Sequence, residues 1–310
     1  MPKSSRETLG VLPSLEVLPF FAEEFQKPDA TSATDFQLQT FASYGEIARK
    51  LLTRQLTAGV LPWEIFVADV LALPGQRNLW KITIFVNACP TELVLCDRLH
   101  KAFYPTKLGA RPKLPTRLTV GIESQNSLTK LQALDWLSHW KGGSAIDLQF
   151  KMLPVDLMMQ ALEADALDAV IAAAPWGMHA ESAGFGKRDP RFVPGKSSQL
   201  LVMASQKEIH DHHPGLSQEI LRTLATARAD LATPNGFLHA SSTMAKRGKP
   251  VLPHDDLALA AALHDFPSLN HDRTPDLPTI VAGLLALDAQ AFLPPQVAAN
   301  EQTARLLLPG

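Results

Sequence analysis

The sequence predicts an α/β protein with two lobes, each built on a mainly parallel sheet with flanking helices. Short β-branched runs alternate with longer segments of helical spacing along most of the chain, a pattern typical of parallel sheets covered by helices. The alternation forms two blocks, joined near residues 87–116 and again near 190–205. The chain has 310 residues, of which 46% are hydrophobic and 19% charged, so each block can bury a core of its own.

The first block contains the elements expected to begin the first lobe. Apolar runs predict strands at 9–12, 35–41 and 81–87. Helical spacing predicts helices at 17–25 and 44–57. A further apolar segment, 65–71, ends at the turn signal Pro74-Gly75.

The second block contains the elements expected in the second lobe and in the return to the first. Strands are predicted at 117–122, 147–152, 168–173 and 198–205. Helices are predicted at 127–140 and 156–164, from Pro175 to about Gly184 or Gly186, and at 213–233 with Pro214 in its first turn. The tail has helical pieces at 256–263 and 279–292 and is expected to pack on the first lobe. The predicted division is 1–95 for the first part of lobe 1, 96–200 for lobe 2, and 201–310 for the return to lobe 1.

Composition and the N-terminus narrow the class of protein. The formal net charge is −2 with scattered basic residues, so direct nucleic-acid binding is not expected. No run of about 18 apolar residues predicts a membrane span. Charges at Glu16, Glu23 and Glu24 interrupt the first apolar run, so we expect no secretory signal and a cytoplasmic protein. A trimmed start would make it periplasmic instead. The spacing of Cys89 and Cys96 fits neither a redox motif nor a zinc site, and two reduced thiols are expected.

No motif indicates catalysis, and neither a cofactor nor a metal is expected. The chain has no GxSxG elbow, no Walker loop and no GxGxxG after its first strand. The residues His210, Asp211, His212 and His213 are adjacent, and adjacent side chains at the start of a helix point in different directions. We therefore interpret this segment as a solvated loop before a helix rather than as a metal site.

Polar residues at strand ends are the candidates for ligand binding. In α/β sheets, ligands bind beyond the carboxyl ends of strands and against helix N-termini. The loop from Ser124 to Ser127 has this position and suits an anion or a polar ligand. Ser127 acting only as a helix N-cap explains the same residues, and both interpretations stay open. Tyr44, before a helix, could contact a ligand or simply pack.

Several segments resemble the nitrate- and bicarbonate-binding proteins of ABC importers. The opening LGVLPSLEVLPFFAEEF places Glu16 on that family's usual Asp, and ASY at 42–44 places Tyr44 on its aromatic residue. The segment FVNACPTELVL places Thr91 near the family's Gln. The stretch from PVDLMMQALEADALDAV to APWGMHAESAGFG places Trp176 on the family's Trp. The resemblance covers about residues 9–235. It implies a type II periplasmic-binding-protein fold, with a cleft between two lobes that close on a ligand.

The chain also departs from that family. Glu64 occupies the position of the family's His, and Ala174 replaces an acidic residue. A carboxylate facing nitrate would be repelled. Lys196 lies about one position from the family's Lys. The strand-end positions and the resemblance together give nine expected ligand-binding residues: Glu16, Tyr44, Glu64, Thr91, Gln125, Asn126, Ser127, Trp176 and Lys196.

Three functions follow from the resemblance. The first is a cytoplasmic sensor of a small polar or anionic ligand such as nitrate or nitrite, resembling the branch of the family that binds an antiterminator-type regulator. The second is the solute-binding protein of a nitrate/sulfonate-type ABC importer, with a permease as partner. The third is a cytosolic enzyme of the same fold, in which Glu16 and Glu64 would act as an acid–base pair.

Overall fold

The computed structural model describes residues 7–22, 25, 36–73, 75–87, 91–105, 115–124, 127–140, 143–174, 176–192, 200–247, 274–289 and 293–309. These residues belong to two compact units. Unit 1 contains the elements of 7–87, 200–247 and 274–309, and unit 2 contains those of 91–192. Along the described residues, the chain passes from unit 1 into unit 2 and then back to unit 1.

Strands in the described residues are numbered along the chain. They are β1 (Glu7–Val11), β2 (Phe36–Thr40), β3 (Ala58–Pro62), β4 (Trp80–Asn87), β5 (Thr91–Cys96), β6 (Arg117–Ile122), β7 (Asp147–Met152), β8 (Ala169–Ala173), β9 (Gly186–Arg188) and β10 (Leu200–Gln206).

The α-helices in the described residues are numbered in the same way. They are α1 (Tyr44–Leu52), α2 (Trp63–Ile65), α3 (Asp97–Phe103), α4 (Leu128–Ser138), α5 (Val155–Glu163), α6 (Trp176–Ala183), α7 (Lys207–His212), α8 (Leu216–Leu231), α9 (Pro234–Arg247), α10 (Leu277–Ala289) and α11 (Glu301–Leu307). The described residues also contain three short 3-10 helices, Leu15–Phe21, Gln76–Asn78 and Gly143–Ala145, and one π-helix, Phe66–Val70.

Each unit is built on a five-stranded sheet. The order in unit 1 is β2-β1-β3-β10-β4, and the order in unit 2 is β7-β6-β8-β5-β9. In unit 1, β10 runs antiparallel to β3 and β4, and the other described strands share one direction. In unit 2, β5 runs antiparallel to β8 and β9, and the other described strands share one direction. Four strands of each sheet therefore point the same way, which confirms the predicted α/β class with mainly parallel sheets and flanking helices.

Helix α1 is shorter than its predicted range of 44–57. Arg54 adopts a left-handed φ of 56° just after the helix, a conformation that L-residues rarely use inside a helix. Thr57 then pairs with Thr8 of β1, because the Thr8 amide donates to Thr57 Oγ1 at 2.7 Å and Thr57 Oγ1 donates to the Thr8 carbonyl at 3.0 Å. This pairing leads directly into β3, a strand that the sequence did not reveal.

Two other predicted helices differ in the structure. The segment predicted as a helix at 17–25 is the 3-10 helix Leu15–Phe21, which contains Pro19. Proline removes a backbone donor and favours a short, irregular helix. The predicted helix 213–233 is α8, which begins at Leu216, so Pro214 lies before the helix rather than in its first turn. A separate helix, α7, ends at His212, before the predicted range. A residue before proline avoids the helical region, which explains why α7 ends at His212.

Among the described glycines of unit 2, Gly143 should be the least replaceable. A Cβ atom at this position would lie 1.9 Å from the carbonyl oxygen of Leu137, a backbone atom of α4. We expect Gly143→Ala to lower the free energy of unfolding by about 2 kcal/mol or more, because the backbone must move to admit the methyl group. Urea denaturation measures the change.

Gly45 in the first turn of α1 is the matched control. A Cβ atom there meets nothing within 4 Å, so Gly45→Ala is expected to raise the free energy of unfolding by about 0.5 kcal/mol. Equal effects of the two substitutions would contradict the role given to Gly143.

Candidate functional site

Two of the residues predicted to bind a ligand, Thr91 and Ser127, lie at one edge of the unit 2 sheet. Strands β6 and β8 are parallel and end at Ile122 and Ala173. Strand β5 runs the opposite way, and its first residue, Thr91, pairs with Ala173. The carboxyl edge of β6 and β8 therefore carries Thr91 together with the N-terminus of α4.

Four buried residues form a polar cluster at this edge: Thr91, Ser127, Thr129 and Gln132. Their exposed fractions are 4%, 1%, 3% and 8%. Ser127 is the N-cap of α4 and accepts hydrogen bonds from the Thr129 amide at 3.3 Å and from Thr129 Oγ1 at 3.0 Å. Thr91 Oγ1 donates to Gln132 Oε1 at 3.1 Å. The predicted capping role of Ser127 is thus confirmed, and the cap belongs to a larger polar group.

Gln132 is the member of the polar cluster that the sequence did not reveal. The buried residues of α4 are Thr129, Gln132, Ala133, Trp136 and Leu137, whereas Leu134 is 45% exposed. The leucines at every third position along this helix therefore do not mark its buried face. Gln132 Nε2 is buried and has no hydrogen-bond partner among the described residues.

A cavity of about 420 Å³ lies beside the polar cluster and shares Thr91 with it. This volume falls in the range of small-molecule sites. The other lining residues are Glu92, Leu93, Glu181, Arg188, Asp189, Pro190 and Phe192. The lining has three carboxylates and one guanidinium, so the charged groups of the wall do not attract an anion, and an anion here would depend on uncharged donors beside the wall.

The charged residues of this wall are tied to one another. Arg188 donates to Glu92 and to Glu181, both at 2.9 Å. The Gly177 amide, at the start of α6, donates to the second oxygen of Glu92 at 2.9 Å. Burial raises the pKa of the Glu92 carboxyl above its ordinary value, against the lowering effect of Arg188. These contacts hold the side chains of Glu92, Glu181 and Arg188 in fixed positions within unit 2.

Asp189 anchors the segment that follows β9. Its side chain is 5% exposed and accepts three hydrogen bonds: from Tyr104 Oη at 2.6 Å, from Trp136 Nε1 at 3.0 Å and from the Arg191 amide at 2.7 Å. Burial and this carboxylate together raise the pKa of the Tyr104 hydroxyl. Arg191 also stacks 4.5 Å from the ring centroid of Trp140. Asp189 therefore fixes one wall of the cavity, and nothing in the sequence pattern marks it.

The residues predicted for the first lobe lie at the carboxyl edge of the unit 1 sheet. Glu16 follows β1, Tyr44 follows β2, and Glu64 follows β3, and these three strands are parallel. All three side chains are buried, with exposed fractions of 1%, 3% and 0%. Ser43 caps the helix that Tyr44 begins by accepting from the Glu46 amide at 3.2 Å. The structure thus brings these residues to the predicted edge, packed into the unit 1 interior.

The remaining predicted residues divide into two groups. Trp176 is 7% exposed and belongs to the hydrophobic core of unit 2. Its ring lies edge-on to His179 with centroids 6.1 Å apart. Gln125, Asn126 and Lys196 lie outside the described residues.

His210 lies inside the fold, so the predicted solvated loop is wrong for this residue. It belongs to α7 and is 6% exposed. Its Nε2 atom lies 2.9 Å from Ser205 Oγ and 3.2 Å from Thr83 Oγ1, and the two hydroxyls are 2.7 Å apart. Ser205 and Thr83 lie on the paired strands β10 and β4. The described residues contain no group of three or more His, Cys, Asp or Glu side chains arranged to hold a metal ion.

Comparison with solved structures identifies the architecture. The chain matches the ligand-binding component of an ABC-type import system from Staphylococcus aureus, with zinc bound, at a TM-score of 0.66 and 12% identity. This match covers 99% of this chain and 100% of that one. The fold is that of a periplasmic binding protein.

Two further matches share the periplasmic-binding-protein fold. The alkanesulfonate-binding protein SsuA from Xanthomonas axonopodis, bound to MOPS, matches at a TM-score of 0.63 and 13% identity, over 95% of this chain and 96% of that one. The periplasmic nitrate-binding protein NrtA from Synechocystis matches at 0.55 and 12%, over 79% and 67%. No protein-family model matches the sequence, and no curated protein does. None of the described helices has the length and apolar character needed to cross a membrane.

Proposed function

We propose that the chain binds a small polar solute as the solute-binding component of an ABC importer. The observation that carries the proposal is the similarity of fold along almost the whole chain to binding components of this kind. The polar cluster of unit 2 supports it, because buried hydroxyl and amide groups at a helix N-terminus beside a cavity suit a polar ligand. We place part of the ligand site at this cluster.

The structural matches favour the importer over the sensor. The similar proteins bind their ligands within importers or as periplasmic proteins, and no described feature favours an antiterminator-type regulator as partner. The sensor, the enzyme and the cytoplasmic location stay predictions from the sequence.

Direct binding measurements test the proposal. Nitrate, nitrite, ethanesulfonate and MOPS are titrated into the purified chain by calorimetry, and micromolar binding of at least one is expected. Thr91→Val should weaken that binding about tenfold, because it removes a buried donor. Thr226→Val, at an exposed position on α8, is the matched control and should bind normally. A wild-type chain that binds none of the four compounds would count against the proposal.

Uptake measurements separate the importer from the sensor. Cells lacking the gene should lose uptake of the bound solute if the chain serves an importer. Normal uptake combined with an altered transcriptional response to the solute would favour the sensor instead.

A further inference from the structure

The side-chain amide of Gln132 is held in one orientation by Thr91. A threonine hydroxyl has one proton to donate, and Thr91 donates it to Gln132 Oε1 at 3.1 Å. This contact leaves the two N–H groups of Nε2 as the free end of the amide. That nitrogen is buried and has no hydrogen-bond partner among the described residues.

A buried donor without an acceptor destabilises the folded chain. Gln132 is 8% exposed and lies on the buried face of α4. A methionine would fill nearly the same volume with equal helix propensity and no polar group. Gln132 therefore makes the free protein less stable than it could be, as expected for a residue that meets its partner only when a ligand is bound.

The other members of the polar cluster show what kind of ligand group would fit. Thr129 lies three residues before Gln132, on the same face of α4, and Ser127 caps the same helix. The cluster contains no charged side chain. The hydroxyls of Thr91 and Thr129 already donate within it, so the Gln132 amide is the donor left for a ligand. Lys130, the nearest cation in sequence, lies 5.8 Å from the ring centroid of Phe150. Such a set suits an oxygen atom that accepts hydrogen bonds, as in a carboxylate, a sulfonate or nitrate.

We infer that Gln132 contacts the ligand directly, by donating its Nε2 hydrogens to a ligand oxygen, and that Thr91 is a positioning residue that orients this amide. The inference rests on the proposed function. It also changes the role expected for Thr91, whose hydroxyl acts through Gln132.

Four variants and two measurements test the inference. Gln132→Met removes the donors at constant size, and Gln132→Glu replaces them with a carboxylate. Thr91→Ser keeps the orienting hydroxyl, and Thr91→Val removes it. Binding of acetate, ethanesulfonate and nitrate is measured by calorimetry, and the melting temperature is measured without ligand.

The expected results differ for each variant. Gln132→Met should bind at least tenfold more weakly than the wild type while its ligand-free melting temperature rises by about 2–4 °C. Gln132→Glu should lose about 100-fold in affinity, because its carboxylate repels an acceptor oxygen. Thr91→Ser should bind within about twofold of the wild type, whereas Thr91→Val should bind about tenfold more weakly. Gln160→Met on the exposed side of α5 is the control and should leave affinity unchanged.

Failure of the inference and failure of the proposed function give different results. If the wild type binds a probe and Gln132→Met binds it equally well, the inference is wrong and the proposed function stands. A lower melting temperature for Gln132→Met would mean that the amide is satisfied within the free protein, which also overturns the inference. A wild type that binds none of the probes overturns the proposed function, and the inference with it.

Discussion

The Asp189→Ala variant is expected to lose about 3 kcal/mol of its free energy of unfolding. Tyr104, Trp136 and the Arg191 amide all donate to this one carboxylate. Removing the carboxylate leaves three donors unsatisfied in a region where Asp189 itself is 5% exposed, and each such donor costs about 1–3 kcal/mol when it finds no water. Urea denaturation, followed by tryptophan fluorescence, measures the loss.

Two further variants show whether the three hydrogen bonds cause this loss. Asp189→Asn keeps one oxygen for Tyr104 and Arg191 but presents N–H groups to the Trp136 indole, so an intermediate loss is expected. Asp147→Ala removes a carboxylate of β7 whose side chain is 66% exposed, and it should change stability by less than about 0.5 kcal/mol. If Asp189→Asn is as stable as the wild type, the donors do not need the second oxygen and the explanation is wrong.

Stability should fall in acid because of His210. Burial, and secondarily the positive charge of Lys81, lower the pKa of His210 from 6.5 to about 4. Between these values the unfolded chain binds the proton and the folded chain does not. The contribution of His210 is therefore complete above pH 6.5 and is lost as the pH falls toward 4. The total loss is at most about 3 kcal/mol.

Urea denaturation at several pH values between 7 and 4 measures this dependence. His210→Gln cannot take up a proton, so its stability should vary less with pH over this interval. His212, exposed on the same helix, supplies the control: His212→Gln should follow the wild-type curve. Curves of the same slope for the wild type and His210→Gln would exclude His210 as the cause. Lys81 and Asp211 also act on this histidine, so the comparison must be made at constant ionic strength.

Local sequence patterns correctly predicted the strands and helices whose buried residues recur at a regular spacing. Strands β6 and β7 have the predicted bounds, 117–122 and 147–152, because their β-branched and apolar residues alternate between polar flanks. Helix α5 differs from its prediction by one residue at each end. Where the local pattern and the packed fold favour the same element, a single sequence is sufficient to predict the bounds of that element.

Contacts between distant residues explain what the sequence did not predict. Strand β3 exists because Thr57 pairs with Thr8, 49 residues earlier. Gln132 is buried and its amide oxygen accepts from Thr91, 41 residues earlier, whereas a glutamine on a helix ordinarily indicates a solvent-facing position. Asp189 depends on Tyr104, 85 residues earlier. The sequence therefore indicated part of the candidate site, through the positions of its residues at strand ends. It did not indicate the hydrogen bonds of the site.

The position of β10 in the unit 1 sheet has a consequence for protein synthesis. Strand β4 has β10 as its only sheet neighbour among the described strands, and the Thr83–Ser205 contact between them spans 122 residues. The described strands of unit 2 all leave the ribosome within that interval. Unit 2 can thus complete its sheet during translation, while β4 waits unpaired for β10.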